Sequence, residues 1–385
     1  MKKLFLILIL ITLCFSGVAY ADESVEDMLE DSVNDQLNEL DLNYFDKFLK
    51  DLEYEGFSDG FKKYVEDIIG GDGSIELGEF ANFIVSGILG EILSCLPVCI
   101  SIILICVLSS TISSFSSKIA QNATNNIVQF VCLATITVLL VSSVMSAVSV
   151  VRSTVNILGE FVNFVFPVLI TLLTVVGGHG SVTVFSPYVA ILSTVIINGV
   201  QSFIIPIFIA CLTLSVVGNL TSSVRLDGIR RFLKSFSEWV LGLGFGIFCT
   251  LLGAQSIVSA SFDTISAKTA KFALSSYVPI LGGYLSEGLD FVVAGSILVK
   301  NAIGLTGIVV LFVLTLLPLV KLVVFSFTLK LTSGIIESFA DKRVSNTLSA
   351  VASSMRILIA VLLGVTFLTF FILFLMVYTV NVGVL

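Results

Sequence analysis

Charge is what this sequence has least of. Asp, Glu, Lys and Arg make up 12% of its 385 residues, about half the ~25% of an ordinary soluble domain. Histidine occurs once, as His179 in the run GGHG, where glycine permits a tight turn and no nucleophile or ligand set stands nearby. There is no H-E-x-x-H, no G-x-x-x-x-G-K-[ST] and no G-x-S-x-G. Those absences remove zinc-dependent hydrolysis, phosphate cradling by a glycine-rich loop and serine-elbow catalysis. Cysteine is sparse, with no C-x-x-C pair. Cys95, Cys99 and Cys106 fall within about 40° of each other on a helix. All six cysteines beyond Cys14 lie in apolar runs, as small buried packing residues do, rather than in a metal or redox pattern. The chain reads as a non-enzyme with no cofactor, no metal and no nucleic-acid partner.

Apolar surface is what it has in excess. Hydrophobic residues make up 56% and mean hydropathy is +1.07, the signature of an all-α polytopic membrane protein. The net charge of −8 hides a segregation. Residues 22–80 carry 19 acids and 4 bases, whereas residues 81–385 carry 9 acids and 14 bases. The first 21 residues differ again: Lys2 and Lys3, an apolar run over 4–15, then Ala19-Tyr20-Ala21. That is the layout of a cleavable signal peptide, with an uncleaved anchor as the other reading. Either places the acidic region outside the cytoplasm.

Within residues 22–80, Val33, Leu37, Leu40, Phe45, Phe48, Leu49 and Leu52 recur at helical spacing. A small helical region with one face to bury is expected, packed on a partner or on the membrane domain. The run DGSIELGE (72–79) copies half of a calcium loop, but Ile68 and Gly70 stand where two oxygen ligands are required. It is not a calcium site.

From residue 81 the spacing predicts about eight transmembrane helices, over 92–110, 127–149, 161–178, 183–200, 203–218, 238–259, 302–320 and 357–380. With the N-terminus outside, 10 of the 14 bases fall on the cytoplasmic side, as the positive-inside rule requires. The linker 219–237 is basic and amphipathic, read either as a helix on the anionic inner leaflet anchored by Trp239 or as a solvated loop.

The run KFALSSYVPILGGYLSEGLD (271–290) is apolar, yet Pro279, Gly282, Gly283 and Gly288 interrupt it. Broken helices at membrane depth survive only where protein or a cavity covers their backbone groups. Residues 264–290 are therefore expected to form an interfacial or re-entrant helical element, with Glu287 and Asp290 toward headgroups or the N-terminal region. Lys300 follows among apolar neighbours, with Ser296 and Gly304 one turn to either side and no acid on its own helix to meet it. It either snorkels to the outer interface or faces a pore or a distant acid. Lys300, Asn301, Pro279, Gly282, Gly283 and Asp290 are the candidate pore or assembly residues. Arg152 and Glu160, eight residues apart, are expected at the rim of a span.

Residues 268–311, KTAKFALSSYVPILGGYLSEGLDFVVAGSILVKNAIGLTGIVVL, resemble the stage III sporulation protein AE family of endospore-forming bacteria. TAKF, the P-I-L-G sequence, the S-x-L-x-K-N-x-I-G-L-x-G core at 296–307 and LPLVKL (317–322) carry the resemblance. The overall plan is similar too, including QLNEL-D at 36–41. The resemblance implies a component of the complex joining mother cell and forespore, in the mother-cell (outer forespore) membrane. It also implies other membrane and ring-forming proteins and a secretion-type ATPase as partners, the last indirect. It transfers no catalytic or ligand residues. Two functions follow as expectations: an assembly or export platform docked through its acidic region, or a self-sufficient small-solute permease with a broken-helix site near Pro279 and Lys300.

Overall fold

A computed structural model of the chain describes Val65, Ile69 and residues 77–119, 122–220, 227–277 and 282–381. The signal peptide, the calcium-like loop, Pro279 and all of the acidic region up to residue 64 lie outside the described residues. Every regular element described is helical. In hydrocarbon each backbone N–H and C=O needs a partner within its own segment, so long apolar runs take this form. The helices are α1 (Leu77–Ile119), α2 (Asn122–Val175), α3 (His179–Ala190), α4 (Ile197–Gly199), α5 (Ile205–Leu220), α6 (Asp227–Tyr277), α7 (Gly282–Ile336) and α8 (Lys342–Asn381). Two π-helical stretches, Ile191–Ile196 and Val200–Ile204, join α3, α4 and α5 into one irregular rod.

Among the described residues, six helices are long and apolar enough to cross a membrane, where eight were expected. The runs 127–149 and 161–178 belong to one continuous helix, α2. Arg152 and Glu160 lower the hydropathy between them, but both are good helix formers, so the backbone runs on. Both are exposed near the middle of α2. Asn156, one turn from each, accepts a hydrogen bond from Gln201 Nε2 of the second π stretch. The runs 183–200 and 203–218 likewise merge in the α3–α5 rod, where the helix widens instead of breaking. Of the segment 264–290, residues 264–277 continue α6 and 282–290 open α7. The described parts of 264–290 are thus two helix ends, both outside the candidate spans, and 278–281 lie outside the described residues.

The turn at GGHG forms as its glycines dictate. Gly177 adopts φ +86°, and Gly178 N donates to Leu173 O at 2.8 Å while Gly177 N donates to Thr174 O at 3.0 Å. This left-handed cap satisfies the last carbonyls of α2. The α7–α8 turn is closed by Ser333 and Ser345, whose hydroxyls each donate to the other's backbone carbonyl at 2.9 and 3.2 Å. Asp341 caps α8, accepting from the backbone N–H of Arg343 at 2.9 Å.

The hairpin α7–α8 is the centre of the bundle, with α1, α2, the α3–α5 rod and α6 around it. Half of the apolar window of α8 is buried (50%), against 22% in α1 and in α6. Val65 and Ile69, one helical turn apart, also pack on the core, so the end of the acidic region rests on the membrane domain. The candidate crossing helices are long, and charges lie along them: Val292–Ile336 of α7, with Lys300, Lys321 and Lys330, covers 45 residues, and Ile127–Val175 of α2, with Arg152 and Glu160, covers 49. At ~1.5 Å per residue the former is about 68 Å long. Even at a tilt of ~40°, about 26 residues cross a ~30 Å hydrocarbon core.

Candidate functional site

Of the residues singled out around Lys300, Gly282, Gly283, Asp290, Lys300 and Asn301 lie on one helix, α7, and are spread along it, while Pro279 lies outside the described residues. Gly282 and Gly283 are the first residues of α7, Asp290 lies about two turns on, and Lys300 and Asn301 a further ten residues along. Gly282 and Lys300 are thus about 27 Å apart along the axis.

What surrounds Lys300 is a packed seam. Ser296, Lys300, Gly304 and Gly307 recur at spacings of four, four and three, which puts them on one face of α7, and all four are buried. Lys300 is 0% exposed. Its Nζ donates to the carbonyl of Val377 at 2.9 Å. Val377 is four residues from the end of α8, where backbone carbonyls concentrate partial negative charge. The ammonium therefore meets the C-terminal end of a neighbouring helix. It neither snorkels outward nor opens onto a cavity.

Gly304 makes that meeting geometrically feasible. A Cβ built there would lie 2.1 Å from Val377 Cγ2, so α7 and α8 approach at this level only over a bare Cα. Gly307, on the same face, packs at ordinary contact distance against Val165 and Phe161 of α2 and Leu373 of α8. Ser296 returns its hydroxyl to Val292 O at 2.7 Å, satisfying itself within the helix. The sequence core S-x-x-x-K-x-x-x-G-x-x-G is thus a three-helix packing face. Asn301, next in sequence but turned about 100° away, is half-buried.

Two polar clasps escaped the reading of the sequence. Asp263 of α6 is buried and faces the first turn of α3. Its carboxylate accepts from Gly180 N at 2.6 Å and Ser181 N at 2.9 Å, and from the Ser181 hydroxyl. A carboxylate is well matched to the free N–H groups and positive end of a helix N-terminus. Glu91 of α1 pairs with Lys321 of α7 at 2.9 Å and also accepts from Ser94 Oγ at 2.6 Å. The partners lie 82 and 230 residues apart in the chain, so local spacing holds no signal for either clasp.

Cys95, Cys99, Cys106, Cys132 and Cys211 are buried and Cys249 half-buried, all as free thiols. Cys106 and Cys132 border a cavity of about 240 Å³ with Gln129 and Asp341. Among the described residues no three His, Cys, Asp or Glu side chains converge as a metal site would require.

The same seam and the same helical plan extend over the region that a known family covers: the profile of stage III sporulation protein AE matches residues 60–380. The chain belongs to that family. Stage III sporulation protein AE of Bacillus subtilis (strain 168) is 23% identical over an alignment of 384 residues that covers 96% of this chain and 96% of the relative. No solved structure matches. The family carries a role in sporulation, and the apolar helices make this member a membrane protein. The seam at 296–307 and the Lys321 clasp both fall within the matched residues of the stage III sporulation protein AE profile.

Proposed function

We propose that the chain is a non-catalytic membrane component of a channel complex between mother cell and forespore, acting as an assembly or export platform. In this reading it sits in the mother-cell (outer forespore) membrane with residues 22–80 outside the cytoplasm. Its neighbours are other membrane and ring-forming proteins of the complex and, indirectly, a secretion-type ATPase. The family supplies the setting.

One observation supports the platform role: the membrane-crossing helices run longer than a bilayer covers. Val292–Ile336 exceeds the tilted crossing length by about 19 residues. The flanking helices α1 and α6 leave most of their apolar windows uncovered. Apolar surface beyond the lipid calls for protein neighbours. A self-sufficient permease needs a hydrated, broken-helix site at Lys300, and the burial of that ammonium against Val377 O weighs against one.

Deleting residues 22–64 spares Val65 and Ile69 in the core. The truncated chain is expected to insert normally and to lose co-purification with the ring-forming proteins. Unchanged co-purification counts against docking through the acidic region. Reconstituted alone in liposomes, the full chain is expected to give no solute flux. Flux that disappears on changing Lys300 would establish the permease instead.

A further inference from the structure

Two cysteines far apart in the sequence meet beside an opening near the α7–α8 turn. Cys106 of α1 and Cys132 of α2 are separated by 26 positions, so no short thiol spacing announces them. In the fold Cys132 Sγ donates to the carbonyl of Ile105, the residue before Cys106, at 3.8 Å. The same sulfur hydrogen-bonds with the Cys106 thiol and with the side chain of Ser109. Cys99 and Cys211 behave differently: the first bonds the side chain of Thr332, and the second faces the carbonyl of Arg230 at 4.0 Å.

Cys106 and Cys132 also wall one cavity of about 240 Å³, room for several molecules of water's ~30 Å³. Ser110, Gln129 and, from the α7–α8 turn, Asp341 line it too, and all three are half-exposed. The cavity therefore has a polar mouth at the surface. Cys132 is the more exposed of the two cysteines, at 9% against 1%. A small polar oxidant entering there meets Cys132 first, with a second thiol in contact behind it. Thiols already in hydrogen-bond contact need little further approach to reach the ~2.05 Å of a disulfide.

We propose that Cys106 and Cys132 are a reversible redox pair, closed to a disulfide by a peroxide that enters through this cavity. Cys132 attacks hydrogen peroxide, keeps one oxygen as a sulfenic acid, and its thiol proton leaves with the other oxygen as water. Cys106 then attacks that sulfur: the S–S bond forms, the S–O bond breaks, and a second water departs. Two electrons pass from the sulfurs to the peroxide, and two molecules of a thiol reductant return them by exchange. The disulfide ties α1, whose apolar window is only 22% buried, to α2 beside the α7–α8 turn. It is independent of the platform reading.

The full chain in native membranes is treated with hydrogen peroxide, its remaining thiols are blocked, and its unreduced peptides are read by mass spectrometry. The Cys106–Cys132 link is expected about 10-fold or more faster than any other cysteine pair, because the fold holds the two thiols together. Glutathione should reverse it, and prior phenylarsine oxide, which bridges two neighbouring sulfurs, should block it. Cys99→Ser should leave the link unchanged. Cys106→Ser should strand Cys132 as a sulfenic acid that dimedone traps. Oxidation of wild-type Cys132 beyond sulfenic acid while Cys106 stays a free thiol overturns the proposal. So does another pair that closes first, a link that forms as fast in the denatured chain, or the failure of both cysteines to react.

Discussion

Among the described residues Lys300 is held in the bundle by a helix end, the carbonyl of Val377. Nothing in SILVKNAIGL reveals that outcome, because the acceptor is a backbone carbonyl 77 residues away in sequence. Composition marks the residue as costly at membrane depth; only tertiary packing shows how the cost is offset. The burial also changes which substitution is conservative. Met keeps the length and apolar stem and removes a desolvated charge, whereas Arg keeps the charge and overfills a closed seam. Replacing buried charge by a similar apolar volume is often close to neutral, while overpacking costs about 1–3 kcal/mol. Lys300→Met is therefore expected to stay within about 1 kcal/mol of wild type, and Lys300→Arg to lose more. Thermal unfolding of the purified variants measures the order. Arg tolerated better than Met would show that charge, not fit, is what the position requires.

Elements were legible where apolar periodicity is strong and obscured where charge interrupts it. The runs 302–320 and 357–380 lie within α7 and α8. Arg152 and Glu160 divide hydropathy without dividing α2, and Pro167 and Pro318 sit inside continuous helices. Proline in a membrane helix is tolerated where neighbouring helices cover the freed carbonyl. The glycines after Pro279 do mark a boundary, since α6 ends at Tyr277 and α7 begins at Gly282. The α7–α8 crossing is the element-level feature most open to test. Gly304→Ala drives a methyl into Val377, a stiff β-branched side chain. It is expected to destabilise the bundle by about 1–3 kcal/mol. Val377→Ala removes the obstructing methyl, so the double variant should recover most of that loss. A double-mutant cycle on thermal stability decides it. Additive losses would mean that the two residues are not in contact.

At the scale of the whole molecule, composition and charge segregation made a polytopic helical membrane protein legible, and the motif core at 296–307 made the family legible. The Asp263–Ser181 and Glu91–Lys321 clasps were not, because each depends on how distant helices stack. The helical length was hidden for a related reason: a hydropathy window sees apolar segments, while the backbone sees uninterrupted hydrogen bonding. The central claim is that the ionisable groups buried inside this bundle join helices to one another. Lysine footprinting of the assembled complex with a water-soluble acylating reagent tests it most directly. Exposed Lys268 and Lys330 should be acylated in permeabilised membranes, and Lys300 only after denaturation. Acylation of Lys300 at the rate of Lys268 in the intact complex would place it in an aqueous path and contradict the account.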